Sequence, residues 1–554
     1  MRLHSLRFFI LCGLILSLYC SPLYGQINES ANTDNARSER YKKYQKRIVF
    51  TEKEEGANQT DFLGKYVLTN KSNLFMNVFL DKPLTAYLSE LAPSLSLDSL
   101  VKIGNYQFTF YVDERQIYRT NLLPGAPAPS QQQQETNWSR PLIDNQHEGG
   151  LWTQSAWNRF MYNGGDDALT DGKHILKIEI RPYVQTEELK EGDIIASGSL
   201  KISVNRKVTV NVRGVSLSPV KPYEGFALSS EDFDRQKIKE LKAHIEADVF
   251  KHVKSLVIVK NGCLIVEEYF NGAGRDSLHD VRSVGKSFAS TLAGMAIDEG
   301  YLKSENETLT DFYDLRSYRN YSSAKCRVTL KQLLTMSSEF DGDDDDGRSV
   351  GNEENMYPTE NWVKFALDLP MDTVKYSGQW HYFTTGVVLL GDILNQVVPE
   401  GLEKYADSKL FKPLGITNYR WEYTPQRVVN TAGGIRMRAL DLAKYGQLYQ
   451  NKGKWKGKKI LPEEWIRETF TKHQTITGRK GEYYGYLFWN KVYQYDGKNY
   501  EAFYCSGNGG NKIFIFKDLP IVIVITATAY GTAYAHQQAD KMMEQFILPA
   551  VVGD

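Results

Sequence analysis

The first half of the chain alternates apolar and polar positions in several short runs. The alternating apolar positions are Tyr106, Phe108, Phe110 and Val112, then Leu176, Ile178 and Ile180, then Leu200, Ile202 and Val204. A period of two with one apolar face is typical of half-buried strands. The stretches 124–127 (Pro-Gly-Ala-Pro) and 131–134 (four glutamines) interrupt the pattern as loops. We therefore predict one antiparallel, all-β sandwich domain over residues 61–215.

The second half of the chain changes repeatedly between helical and strand patterns. It shows a helix around 232–249, a hairpin over 255–266, a mostly helical stretch to about 470, strands at 513–516 and 521–526, and a final helix over 534–546. The hairpin prediction rests on Asn261-Gly262 between two apolar runs. We predict that residues 223–554 form an antiparallel sheet made from both ends of the segment, with flanking helices and a helical insertion. The fold class is therefore α+β, and 214–222 is the predicted linker.

The N-terminal residues predict export. Arg2 and Arg7 precede the apolar run 8–18, which has the length of a signal-peptide core and is too short to span a bilayer. We place the signal peptide at 1–26 and a flexible polar leader at 27–60. Cys20 is an unfavourable lipidation site because the bulky Tyr19 precedes it. The mature chain, without a transmembrane segment, is expected in the periplasm or outside the cell.

Composition excludes several classes of function. Lys+Arg and Asp+Glu each number 67 in 554 residues, so the zero net charge gives no sign of a nucleic-acid partner. The cysteines after the signal segment, Cys263, Cys326 and Cys505, have neither zinc-site nor disulfide-framework spacing. At most one bridge can form, and buried free thiols are the simpler interpretation. The 9 histidines include no His-x-x-x-His pair, so we expect no metal and no cofactor.

Two further clusters receive structural interpretations. The acidic loop 341–346 departs from a calcium-binding loop at Asp346 and Asn352, so we interpret it as a solvated loop near the cleft mouth, with calcium as the alternative. Trp152, Trp157 and Tyr162 resemble a sugar-stacking platform, but core packing is favoured for them. The role of the N-terminal domain stays open between cell-wall or carbohydrate association, docking and spacing.

Ser283-Val284-Gly285-Lys286 is the segment with the clearest chemical meaning. Residues three apart lie on one face of a helix, so the hydroxyl and the amine can touch. A serine alcohol needs such a base to act as a nucleophile at neutral pH. At the start of a helix the Ser283 amide is free to point at a developing oxyanion. The alternative is an ordinary N-terminal serine beside a solvated lysine.

Two later segments offer partners for this serine. Tyr382 lies just before the apolar helical run 387–394 and can present its phenol to a cleft, although a packed tyrosine is the alternative. The Gly-rich stretch 505–510 precedes a strand, and its glycines allow a close backbone approach to a substrate. An N–H group of this stretch is the candidate second oxyanion donor.

With these motifs the segment 225–548 resembles the serine hydrolases of the β-lactamase and penicillin-binding-protein superfamily. It is most similar to the class C-like branch of esterases, D-stereospecific peptidases, amidases and nylon-oligomer hydrolases. The stretches that carry the resemblance, besides Ser-x-x-Lys, are 333–338 (Leu-Leu-Thr-Met-Ser-Ser), 389–394 (Leu-Leu-Gly-Asp-Ile-Leu), 432–435 (Ala-Gly-Gly-Ile) and 441–448 (Asp-Leu-Ala-Lys-Tyr-Gly-Gln-Leu). The resemblance implies a β-lactamase/transpeptidase-like fold.

The resemblance also implies residue roles. Ser283 matches the nucleophile, Lys286 the amine that activates it, and Tyr382 the general base of the Tyr-x-Asn motif, whose third place is here Thr384. The third family motif, Lys-Thr-Gly or His-x-Gly, has its nearest counterpart in 505–507. No cation stands in that place, which disfavours efficient β-lactam turnover and favours neutral esters or amides. Ser506, Gly507 and Asn508, together with Thr384, are the predicted substrate-binding and oxyanion residues.

The sequence therefore predicts an exported serine hydrolase that acts on a small-molecule or peptide acyl donor. The alternatives are a cell-wall D,D-peptidase or weak β-lactamase, and a penicillin-binding-type sensor that is acylated without turnover. Substrate identity, stereochemistry and oligomeric state stay open at this stage.

Overall fold

The computed structural model describes residues 42–53, 62–122, 127–144, 152–186, 188–206, 208–228, 232–347, 349–532 and 534–553. The predicted signal peptide and most of the predicted leader lie outside these residues. The buried apolar side chains form two separate cores, one between Ile48 and Val204 and one between Phe226 and Val551. No helix among the described residues is long and apolar enough to cross a bilayer.

The first core is built on a nine-stranded sheet. Its strands are β1 (Arg47–Thr51), β2 (Lys65–Leu68), β3 (Leu74–Phe79), β4 (Gly104–Val112), β5 (Arg115–Asn121), β6 (Asn137–Ile143), β7 (Gly172–Gln185), β8 (Leu189–Glu191) and β9 (Ala196–Val204). The main path runs β5-β4-β7-β9-β1-β3-β6, with β2 on β9 and β8 on β7. The accompanying helices are α1 (Leu84–Leu91), α2 (Leu97–Ile103), α3 (Pro129–Gln134), α4 (Trp152–Phe160) and α5 (Asp166–Ala168), with a π-helical turn at Met161–Gly165.

This unit confirms the predicted β-rich region and differs from the prediction in three details. The strands belong to one continuous sheet rather than two facing ones, β9 pairs in parallel with β1 and β2, and helices supply part of the core. Residues 47–51, assigned to a flexible leader, form a strand inside the sheet, because Ile48 and Phe50 are buried. Trp157 is buried beside Phe110, as the core interpretation predicts, whereas the Tyr162 side chain lies outside the described ones.

The second core is built on another nine-stranded sheet. The strands that follow β9 are β10 (Ala227–Leu228), β11 (Val253–Lys260), β12 (Cys263–Tyr269), β13 (His279–Asp280), β14 (Tyr419–Trp421), β15 (Ile435–Met437), β16 (Lys454–Trp455), β17 (Lys458–Lys459), β18 (Gln474–Thr475), β19 (Tyr483–Tyr484), β20 (Trp489–Tyr495), β21 (Lys498–Gly507), β22 (Asn511–Phe516) and β23 (Ile521–Ala527). The sheet order is β10-β12-β11-β23-β22-β21-β20-β19-β18. Strands from both ends of the segment therefore meet at β11 and β23, as predicted.

The β11–β12 hairpin turns at Asn261 and Gly262, with φ values of 50° and 71°. Two residues with positive φ match the twist of a tight hairpin, which is why Asn-Gly suits this position.

Helices cover the second sheet and fill the predicted insertion. They are α6 (Arg235–Glu246), α7 (Gly285–Asp298), α8 (Ser323–Cys326), α9 (Leu330–Leu334), α10 (Glu353–Met356), α11 (Trp362–Asp368), α12 (Thr384–Val397), α13 (Leu402–Ala406), α14 (Ala439–Gln450), α15 (Glu463–Thr469), α16 (Tyr534–Met542) and α17 (Leu548–Val552). The π-helical turn Met543–Ile547 joins α16 to α17 and extends the predicted final helix. Cys263, Cys326 and Cys505 are unbridged. The α+β fold class is confirmed.

Candidate active site

Ser283 lies in a tight turn that feeds helix α7. The chain leaves β13, passes through a 3₁₀ turn at Arg282–Val284 and enters α7 at Gly285. Arg282 has a φ of 51°, an uncommon value for a non-glycine residue, and its side chain pairs with Asp280 at 3.1 Å. Strained residues of this kind concentrate at functional sites because the surrounding structure must hold them in place.

Lys286 contacts Ser283 directly. Its Nζ donates to Ser283 Oγ at 2.9 Å and to the Ala432 carbonyl oxygen at 2.6 Å. The side chain is only 2% exposed, and this burial lowers the pKa of Lys286, while the carboxylates of Glu353 and Asp344 offset part of the effect. The amine is therefore held against the hydroxyl with its charged form disfavoured.

Tyr382 completes the group around Ser283. Burial raises the pKa of Tyr382 well above its usual range, and a hydrogen bond with Ser283 works against that rise. The Lys286 ammonium lies 5.2 Å from the centroid of the tyrosine ring. The structure thus brings together all three side chains that the sequence singled out.

Thr384 lies against the acidic loop. It is the first residue of α12, and its amide donates to Asp344 Oδ2 at 2.8 Å. The structure therefore links Thr384 to the acidic loop through its backbone.

The end of β21 approaches the nucleophile through its backbone. A Cβ atom at Gly507 would overlap the Val281 carbonyl oxygen and lie 3.2 Å from the Ser283 nitrogen. Strand β20 pairs only as far as Tyr504, so among the described strands 505–507 has no partner on that edge. Asn508 is fixed by its side-chain oxygen, which accepts from the Gly531 amide at 2.9 Å.

A cation lies beside the third motif, although none stands within 505–507 itself. Lys512 faces Ser506 across the β21–β22 hairpin, and its Nζ donates to Ser506 Oγ at 2.8 Å. Burial lowers the pKa of Lys512 to about 8. Because side chains alternate along a strand, Ser506 and Lys512 lie on the opposite face from the backbone contact of Gly507 with Ser283. The cross-strand register of the β21–β22 hairpin places Lys512 opposite Ser506. Comparison of residues 505–507 alone with the family motif does not reveal this lysine.

The acidic loop 341–346 is a structural support and not merely a solvated loop. The Asp344 amide donates to the Tyr382 carbonyl, and its carboxylate accepts from the amides of Thr384 and Glu353, each at 2.8 Å. Burial and the Glu353 carboxylate raise the pKa of Asp344. In the described part of the chain, no group of three or more His, Cys, Asp or Glu side chains is placed to hold a metal ion.

Aromatic rings lie beside Tyr382. Trp489 stacks near Tyr382 with ring centroids 5.9 Å apart, and Trp380 lies 5.5 Å from Trp489. Tyr486 stacks on His473, with ring centroids 4.5 Å apart. Ser283 does not line the cavities of about 440 and 210 Å³ found among the described residues.

These features define an α+β protein whose Ser-x-x-Lys helix meets a tyrosine and a strand edge. The chain belongs to the Beta-lactamase family, whose family model matches residues 242–545. Similar solved structures include a penicillin-binding protein homolog from Caulobacter crescentus, with 16% identity, a TM-score of 0.46 and coverage of 58% of this chain and 99% of that one.

Two more similar structures come from other organisms. The octameric penicillin-binding protein homologue from Pyrococcus abyssi has 20% identity and a TM-score of 0.44, with 57% of this chain and 77% of that chain covered. A D-stereospecific amidohydrolase from a Streptomyces species has 16% identity and a TM-score of 0.41, with 53% and 93% covered.

Proposed function

We propose that this protein is an exported serine hydrolase that cleaves ester or amide bonds through an acyl-enzyme on Ser283. The observation that carries the proposal is the meeting of an amine and a phenol at one hydroxyl: the Lys286 amine at 2.9 Å and the hydrogen-bonded Tyr382 phenol. Membership of the Beta-lactamase family supports the same chemistry.

The reaction proceeds in two steps, acylation of Ser283 and hydrolysis of the acyl-enzyme. As the Ser283 oxygen attacks the substrate carbonyl carbon, its proton passes to the uncharged Lys286 amine, and the Tyr382 phenol can relay it by accepting that proton while giving up its own. The oxyanion is stabilised by the amides of Ser283 and the 506–508 segment. The carbonyl re-forms, the bond to the leaving group breaks, and the stored proton goes to that group. Water then attacks the acyl-enzyme, releasing the carboxylic acid and returning the proton to Ser283.

A comparison of two alanine variants on one helix tests the proposal. Ser283→Ala should abolish turnover of a p-nitrophenyl ester and any mass gain, whereas Ser290→Ala should keep both. Ser290 suits the control because its buried Oγ has no partner among the described residues. Intact-mass spectrometry and product release are followed together; an active Ser283→Ala variant would contradict the assignment of the nucleophile.

The same assay separates the alternative functions. A cephalosporin and a D-Ala-D-Ala peptide are offered beside the ester. Turnover of either one favours a weak β-lactamase or a D,D-peptidase, whereas a stable mass gain without product release favours a sensor. The third motif, 505–507, itself contains no cation, which supports neutral acyl donors over anionic ones.

Export and domain organisation belong to the proposal as well. The apolar run 8–18 behind two arginines supports a signal peptide over 1–26, and the two separate cores support a division into 61–215 and 223–554. N-terminal sequencing of the protein from fractionated cells would show a start near residue 27 outside the cytoplasm; an intact start in the cytoplasm would contradict export.

A further inference from the structure

A polar cavity of about 210 Å³ lies behind the turn that leads to Ser283. Its lining includes Lys254 from β11, His279 and Asp280 from β13, Asn511 from β22, and Thr528 just after β23. A volume of this size has room for a small ion and several waters, whose share of liquid volume is about 30 Å³ each. The cavity is therefore a candidate ligand site separate from the nucleophile.

His279 lines this cavity and carries an unsatisfied polar atom. The residue is 7% exposed, and its Nδ1 lies 3.2 Å from the Thr526 hydroxyl, which in turn pairs with the Ser255 hydroxyl at 2.6 Å. Its Nε2 is buried and has no hydrogen-bond partner among the described residues. When the Thr526 hydroxyl donates to Nδ1, the imidazole proton lies on Nε2 and needs an acceptor. Leaving such a group unpaired costs about 1–3 kcal/mol.

The charges around the cavity favour a negative ligand. The half-buried Lys254 ammonium donates to the Asn271 carbonyl oxygen at 3.0 Å and retains further donor capacity. The Asp280 carboxylate lies 3.1 Å from Arg282 and 3.7 Å from Arg436, so two cations balance its charge. Burial and Lys254 lower the pKa of His279 to about 4, which keeps the imidazole neutral near pH 7.

We propose that this cavity binds a small oxyanion, which accepts hydrogen bonds from Lys254 Nζ and His279 Nε2. The site is joined to both sides of the candidate active site. Asn511 lines the cavity and donates to the Asn508 carbonyl oxygen at 2.8 Å, and Asp280 holds Arg282, the residue before Ser283. Two lining residues of the cavity thus also hold the segments that carry the proposed oxyanion donors.

Thermal unfolding in the presence of sodium acetate or sodium phosphate tests the proposal, with sodium chloride at equal ionic strength as the baseline. A specific ligand raises Tm in a saturable way. The Lys254→Gln variant should weaken the binding at least ten-fold. Lys458→Gln, which removes an exposed lysine outside the cavity lining, should leave it unchanged.

A second pair of variants addresses the buried imidazole. His279→Gln keeps a donor near the Nε2 position and should retain part of the binding, whereas His279→Phe should lose it. If His279→Phe fails to fold, the Lys254→Gln variant still tests the proposal, because the half-exposed Lys254 can be replaced without disturbing the core. The measurement is repeated with the Ser283→Ala variant. Anion binding should persist there, whether or not Ser283 is the nucleophile of a hydrolase.

The outcomes separate clearly. Tighter binding of acetate assigns a carboxylate ligand, and tighter binding of phosphate assigns a phosphate ligand; both support the site. The proposal is overturned if neither anion stabilises the protein beyond chloride, or if Lys254→Gln binds as tightly as the wild type.

Discussion

At the residue scale, the candidate chemistry depends on how burial tunes one amine. Lys286 is buried against Ser283, so its charged form is disfavoured, and nearby carboxylates restore part of the preference for charge. The activity of a lysine base falls as pH drops through its pKa, because protonation removes the lone pair. The acid limb of the pH–rate profile therefore reports the environment of Lys286.

The Asp344→Asn variant should move that acid limb to lower pH. Asp344 raises the pKa of Lys286, so neutralising it leaves the amine easier to deprotonate. The same change weakens the acceptor for the Thr384 amide, and a loss of about 1–2 kcal/mol in the free energy of unfolding is expected. The measurement is kcat/KM against pH for an ester, with Asp346→Asn as the control from the same loop; equal profiles for both variants would contradict the role of Asp344.

Lys512 should make the protein more stable in mild alkali. Its pKa is 10.5 in an unfolded chain and about 8 when folded. Between these two pH values the unfolded chain binds the extra proton, so the free energy of unfolding rises with pH, by about 3 kcal/mol in total at about 1.4 kcal/mol per unit. Above the upper value both states are neutral and the rise stops.

Urea unfolding between pH 7.5 and 10.5 measures this contribution as the difference between the wild type and Lys512→Met. The exposed Lys458→Met variant should follow the wild type. A wild-type curve parallel to that of Lys512→Met would show that the buried lysine does not titrate in this range.

At this scale the sequence predicts a side-chain contact when both residues belong to one element and their spacing brings them together. Ser283 and Lys286 are three apart at a helix start, and Tyr382 follows from the family motif. The contact of Asp344 with Thr384 crosses 40 residues between a loop and a helix, and no local pattern encodes it. Lys512 and Ser506 are only six apart, and the register of a predicted hairpin would have paired them.

At the element scale, the junction between β21 and the 3₁₀ turn before α7 leaves no room for a side chain. Gly507→Ala should reduce kcat/KM by at least about 100-fold and lower the Tm, because the new Cβ atom overlaps the Val281 carbonyl and forces strand and turn apart. Gly64→Ala is the matched control, since a Cβ there meets nothing within 4 Å. Full activity in Gly507→Ala would exclude a close approach of this strand to Ser283.

Element prediction succeeded where pattern and turn chemistry agreed. The Asn261-Gly262 hairpin and the final strands combine apolar runs with clear turn signals. Strand β1 was missed because its apolar positions Ile48 and Phe50 are few and stand in a charged segment. Its place in the sheet comes from pairing with β3 and β9, which a local pattern does not contain.

At the scale of the whole molecule, the N-terminal unit supports the segment that follows β23. Ser155 of α4 has its Oγ 3.9 Å from the Cβ position of Gly531, whose amide holds the Asn508 side chain. The cavity of about 440 Å³ beside it is lined by Trp157 and Met161 from one unit and by Lys251 and Tyr530 from the other. Two cores were predictable from the sequence, but this contact between them was not, because it depends on how two surfaces fit.

Enlarging Ser155 should therefore disturb a site in the other unit. Ser155→Trp is expected to lower kcat by about ten-fold with a small change in Tm, since it pushes on Gly531 and through it on Asn508. Ser155→Ala should keep full activity. The measurement is ester turnover beside thermal unfolding; equal kcat for the tryptophan variant and the wild type would show that the interface does not reach the site.

The second sheet is completed only when β11, near the start of its segment, pairs with β23, near the end. This pairing has a consequence for protein synthesis. Ser255 of β11 meets Thr526 of β23 across a separation of 271 residues. At a synthesis rate of about 5–20 residues per second, β11 waits roughly 14–54 s for its partner. During that interval a strand with the apolar run 256–259 has an open edge and is prone to aggregation. This edge of the nascent chain thus stays unpaired until the last strands emerge, and truncation before β23 leaves a product that cannot close its sheet.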